Sequence, residues 1–247
     1  MEARRLALVL LLLVLVAAAC TRSRPEVLPP PEDTGPPPVY VAVGASETTG
    51  VGSEQPLRDA WPRVFHRTAL PPGSVLVNMG IPGATVAQTL AEAVDPARAA
   101  KPNLVTVWLN VNDMNRGVGV AEYERQLDTL VRALRGGGST RVLVANTPPL
   151  DHLPAYQAGR VLAAVVTPAA VERLVEAYNE AIARVVERNG AVLVDLHAVG
   201  MAARAAGTEA QMISADGFHP SNAGHAAVAA AFADALRRSG PLTVPSG

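Results

Sequence analysis

The sequence predicts an α/β fold, a five-stranded parallel sheet covered by helices on both faces. Two observations carry this expectation. Five short, β-branched and almost wholly apolar runs recur along the chain, as in strands buried on both faces. Longer stretches with helical spacing separate them, and such alternation closes into parallel pairs through crossover helices.

The expected strands are residues 39–43, 75–79, 104–109, 141–145 and 191–196. The expected helices are 57–69, 85–93, 121–135, 168–189 and 221–238. Their punctuation agrees with these bounds. Arg135 is followed by Gly136, Gly137 and Gly138, and Asn189 by Gly190, each a helix stop that tolerates left-handed backbone. Pro168 stands where a first-turn proline needs no N–H.

Two segments precede this domain. Arg4 and Arg5, an apolar run from Leu6 to Val16, then Ala17, Ala18, Ala19 and Cys20 have the order of a secretory leader, and the run is too short for a comfortable membrane span. Small residues before Cys20 also resemble a bacterial lipoprotein cleavage box, which implies lipidation of Cys20 and attachment to the cell envelope. Ala17 departs from the large aliphatic residue usual at its position, and an uncleaved anchor or an ordinary signal peptide remain the alternatives. Residues 21–38 hold seven prolines and read as an extended tether. Residues 39–240 then form one domain with a sizeable core.

Composition excludes several classes. Of 247 residues, 49% are apolar and 17% charged, with 21 basic against 22 acidic side chains, so neither disorder nor a nucleic-acid partner is expected. Cys20 is the single cysteine, which excludes an internal disulfide or a cysteine metal site. No histidine pair has helical metal-ligand spacing, so no metal and no cofactor are expected; His66, His152, His197 and His225 read as structural.

Ligands of open parallel sheets bind at the carboxyl ends of the strands. Those ends carry Gly44-Ala45-Ser46, Gly80-Ile81-Pro82-Gly83, Asn110-Val111-Asn112-Asp113 and Asn146-Thr147, and Asp216-Gly217-Phe218-His219-Pro220 precedes the last helix. A serine needs a base to become nucleophilic, and the base needs an acceptor to fix its tautomer. Ser46, His219 and Asp216 fit these roles, and backbone amides at Ser46 and Gly80 with the Asn112 carboxamide fit an oxyanion hole. Asn112 and Asp113 leave a strand together, so alternation lets only one face a reacting carbonyl; Asp113 suits nearby backbone amides better.

Gly44-Ala45-Ser46, Asn78-Met79-Gly80-Ile81-Pro82-Gly83, Asn110-Val111-Asn112-Asp113 and Asp216-Gly217-Phe218-His219-Pro220 resemble, in this order, the four sequence blocks of the SGNH hydrolases, also called GDSL esterases. The resemblance implies a flavodoxin-like three-layer α/β/α sandwich, Ser46 and His219 as catalytic residues with Asp216 as partner, and oxyanion donors at Ser46, Gly80 and Asn112. It implies action on carboxylic acyl esters, short to medium esters or lysophospholipids, with carbohydrate O-acetyl esters or acyl transfer as alternatives. Ala45 replaces the usual Asp and Asn110 the usual Gly of the family pattern.

Two readings from other classes compete with this one. The run Ser46-Glu47-Thr48-Thr49-Gly50 also resembles a flavodoxin phosphate loop, but nine aromatics leave few to sandwich a flavin. A noncatalytic ligand-binding envelope lipoprotein would be expected to have lost at least one member of the set. Residues 151–167 and 198–214 are expected to wall the pocket with Leu150, Leu153, Tyr156, Val161, Leu162, Val165, Val166, Met201, Met212 and Ile213.

Overall fold

The computed structural model describes residues 36–138, 140–161 and 167–242. The leader, Cys20 and most of the proline-rich segment lie outside these residues, as do Leu162, Val165 and Val166. In chain order the elements are β1 (Val39–Gly44), α1 (Ser46–Thr49), α2 (Pro56–Asp59), α3 (Trp61–Ala69), β2 (Val75–Gly80), α4 (Val86–Glu92) and α5 (Val94–Ala99). They continue with β3 (Leu104–Trp108), α6 (Val111–Asn115), α7 (Val120–Arg135), β4 (Arg141–Ala145), α8 (Pro154–Gln157) and α9 (Pro168–Asn189). The chain closes with β5 (Val192–Val194), α10 (Leu196–Ala205) and α11 (Asn222–Arg238); 3₁₀ turns at Gly136–Gly138 and Glu209–Met212 complete the set.

All four strand pairings are parallel and the order is β2-β1-β3-β4-β5. This is the flavodoxin-like order, whose direction reverses between β1 and β3 and opens a crevice above their carboxyl ends. Strand alternation divides the core. Val41, Val43, Val105, Val107, Val142 and Val144 face α4, α5, α7 and α9. Tyr40, Ala42, Leu104, Trp108, Leu143 and Ala145 face α3 and α11. In the second layer Trp61 stacks on Phe232 at 4.4 Å between ring centroids and meets Trp108 edge-on at 6.3 Å.

The expected five strands and parallel sheet are present, and three helical readings change. The single helix expected over 57–69 breaks at Ala60, whose backbone is extended (ψ 135°), because Pro62 has no N–H to continue the α2 ladder. α5 follows α4 almost without a gap. α10 occupies a stretch for which no helix is expected, since its residues touch two neighbours, α11 and the Glu209–Met212 turn, and leave no single stripe; Asp195 caps it by accepting the Ala198 N–H at 2.9 Å.

Candidate active site

β1 ends at Gly44, where a side chain would collide with Thr48 Oγ1, so glycine lets α1 turn tightly off the strand. Ser46 opens α1, with its N–H at an unpaired helix start and its side chain mostly buried. Asn78 braces this turn. In an otherwise apolar strand, its Nδ2 donates to the Thr48 carbonyl at 2.7 Å and its Oδ1 accepts the Gly80 N–H at 2.9 Å.

His219 reaches the serine from the other end of the chain. Ser46 Oγ lies 2.9 Å from His219 Nε2, and His219 Nδ1 lies 2.6 Å from Asp216 Oδ2. The second oxygen of Asp216 accepts three more hydrogen bonds, from Ser214 Oγ (2.8 Å), the Phe218 N–H (2.8 Å) and the His219 N–H (2.9 Å). Partial burial alone raises the Asp216 carboxyl, but the His219 ring and these donors outweigh it and hold the group well below the usual carboxylate range. Asp216 therefore stays ionised, able to orient the ring and to stabilise an imidazolium.

The His219 loop is pressed from outside by Gly52. This residue has φ +93°, and a Cβ there would fall on the Pro220 carbonyl and 2.8 Å from His219 Cβ. The turn carrying Gly52 is held in turn by His225, a fully buried ring on α11. The His225 Nε2–H donates to the Val51 carbonyl at 3.1 Å, and Nδ1 accepts the Trp61 N–H at 3.3 Å.

Asn112 and Asp113 both lie in the first turn of α6, so helical rotation separates them and the alternation expected of a strand does not apply. Asn112 is half-buried; one N–H donates to the Ala84 carbonyl at 3.0 Å and the other is uncommitted. Asp113 is fully buried and accepts the Val86 N–H with both oxygens, 3.2 Å each. Burial pushes its carboxyl up to about 6, against the Val86 hydrogen bond and the Arg116 charge.

Gly80, expected as an oxyanion donor, has its N–H committed to Asn78 instead. Gly83, three residues on, has φ +77°, makes no hydrogen bond through its N–H, and precedes the Ala84 carbonyl that Asn112 holds. Sequence reasoning also missed Asn78 and Ser214. The signal for Asn78 is its being the one polar residue inside an apolar run.

A cavity of about 120 Å³ is lined by Glu47, Glu209 and His219 and is otherwise mainly apolar. Leu150, Leu153, Met212 and Ile213 line it as expected, joined by Leu196, Val199 and Ala203 of α10. Met201 points away, 42% exposed. Tyr156 stands apart from the lining, packed near Phe218 with its hydroxyl donating to Asn115 Oδ1 at 2.8 Å.

A serine, imidazole and carboxylate in hydrogen-bonded series at the carboxyl edge of a parallel sheet define the class of hydrolases that attack acyl groups through serine. The GDSL-like Lipase/Acylhydrolase family model matches residues 42–227, and the chain belongs to that family. It is a serine hydrolase acting on ester bonds. Solved structures agree in fold. The lipase/acylhydrolase from Enterococcus faecalis is 20% identical, with a TM-score of 0.63 over 84% of this chain and all of its own. The α/β hydrolase enzyme LAE5 from the metagenome of Lake Arreo is 25% identical, with a TM-score of 0.61 over 84% of this chain and 97% of its own. A two-domain esterase active on acetylated mannans is 19% identical, with a TM-score of 0.61 over 85% of this chain and 53% of its own. No curated protein matches the sequence.

Proposed function

We propose that this chain hydrolyses carboxylic esters through Ser46, His219 and Asp216, the continuous hydrogen-bond series from Asp216 to Ser46 being the observation that carries the reading. Ser46 Oγ attacks the ester carbonyl while His219 Nε2 takes its proton, and ionised Asp216 holds Nδ1–H and steadies the imidazolium. The developing oxyanion meets the Ser46 N–H, the free N–H of Asn112 and the Gly83 N–H. Gly80 is left to its bond with Asn78. Collapse of the tetrahedral adduct passes the proton from His219 to the departing alkoxide, and water then reverses the sequence on the acyl-enzyme.

The aliphatic walls of the cavity favour an ester with an apolar part of short to medium length over a polysaccharide face. Export by the leader, and anchoring through a lipid on Cys20, would place this activity in the cell envelope. Ser46→Ala should keep the fold and lower kcat on p-nitrophenyl butyrate by about 10³-fold or more. Near-native turnover by a folded variant would remove Ser46 from the reaction. Fatty-acid labelling that Cys20→Ala abolishes is the expected sign of anchoring.

A further inference from the structure

The cavity that Glu47 and His219 line has aliphatic walls, Leu153, Leu196, Val199 and Ile213 among them, with the Trp108 indole and Phe218 ring also contributing. Three ionisable side chains line it: Glu47, Glu209 and His219. Glu209 is paired with Arg204 at 2.8 Å and His152 at 3.2 Å, and His219 is bound to Asp216 and Ser46. Glu47 is the exception. Beyond its own backbone N–H, its side chain has one long contact, 3.5 Å from Ser46 Oγ and at the limit of a hydrogen bond. Among the described residues no arginine or lysine pairs with it. Burial pushes its carboxyl upward, against its own backbone N–H and the charge of His219, so the group is costly to keep ionised.

Each kind of occupant treats that carboxylate differently. A neutral alkyl group would satisfy the walls but strip water from Glu47 without replacing it. An anion would be repelled. A sugar would bring several hydroxyls to a cavity with a single uncommitted carboxylate. An alkylammonium satisfies both parts, because its methyl surface suits aliphatic walls and aromatic faces while its charge pairs with the carboxylate. His219 must hand a proton to the departing alkoxide and lines this same cavity, which puts the alcohol side of an ester here.

We propose that Glu47 is a specificity residue that selects esters whose alcohol carries an alkylammonium group, of the choline type, held in this cavity. The inference rests on the serine-esterase reading for its substrate, while its binding test is independent of turnover.

The test measures Kd by NMR titration of the full chain with choline and with its uncharged isostere 3,3-dimethylbutan-1-ol. The wild type is expected to bind choline about tenfold more tightly than the alcohol. Glu47→Gln should erase that preference, and Glu47→Asp, which keeps a carboxylate, should retain part of it; thermal melts establish that each variant is folded. Hydrolysis should follow the same order, with kcat/KM for butyrylcholine above that for 3,3-dimethylbutyl butyrate in the wild type and the ratio collapsing in Glu47→Gln. Equal binding of the two ligands by the wild type, or a preference that survives Glu47→Gln, overturns the inference and leaves Ser46-dependent ester hydrolysis intact. Ester hydrolysis that does not depend on Ser46 would instead overturn the esterase reading.

Discussion

Asn112 keeps a free N–H at a half-exposed position, whereas Asp113 beside it spends both oxygens on the Val86 N–H in the interior. A donor that strengthens in the transition state acts on kcat, so Asn112→Ala should lower kcat by about 10²- to 10³-fold with little change in KM. Asp113→Ala should instead lower the melting temperature, and kinetics and melts of both variants side by side check the division. Asp113 also has a signed pH effect. Its carboxyl rises from 3.8 to about 6 on folding, so it favours the fold below the unfolded value and loses that contribution as pH climbs through the folded one. Between about pH 4 and 6 the stability difference between wild type and Asp113→Asn should shift against the wild type by on the order of 2 kcal/mol, read from urea melts at the two ends. Ser46, Asp216 and His219 were legible in the sequence because each stands in a short block at a strand end or before a helix. The commitment of the Gly80 N–H to Asn78 was not, because a side-chain hydrogen bond leaves no spacing to read.

Helix α11, the Val51–Gly52 turn and the His219 loop form one mechanical unit, with His225 joining the first two and Gly52 touching the third. Gly52→Ala should therefore damage both stability and catalysis. Gly73 supplies the control, since it has φ +85° but nothing within 4 Å of a Cβ. Both alanine variants should lose about 1–3 kcal/mol to backbone strain, but only Gly52→Ala should also lower kcat, measured on p-nitrophenyl butyrate. His225 adds an acid limb. Burial holds its ring below the ordinary histidine value, so the fold disfavours its protonation and stability falls as pH drops below about 6.5. Strands were the most legible elements, because burial on both faces writes an unbroken apolar run. α5 and α10 escaped because short helices wedged between neighbours need no clean stripe, and the break at Ala60 followed from one missing N–H at Pro62.

At the scale of the molecule, parallel order and two-sided cover follow from alternation of apolar runs with helices, and the strand sequence β2-β1-β3-β4-β5 puts the crevice where β1 and β3 diverge. What alternation does not encode is how the far end of the chain returns to the first strand. Ser46 and His219 are 173 residues apart, and their meeting depends on α11 settling against α3. The chain has two tryptophans, and both sit in that layer, Trp61 stacked on Phe232 of α11 and Trp108 edge-on to Trp61. Intrinsic fluorescence is thus a built-in optical gauge of the docking that completes the site. In stopped-flow refolding from urea, recovery of hydrolysis should keep pace with the tryptophan signal and lag behind far-ultraviolet circular dichroism, because local helices form before distant segments meet. Hydrolysis returning ahead of the fluorescence change would separate the two events. On that footing synthesis itself imposes a wait: Ser46 leaves the ribosome 173 residues before His219, and no hydrolysis is expected until the later segment has followed and docked.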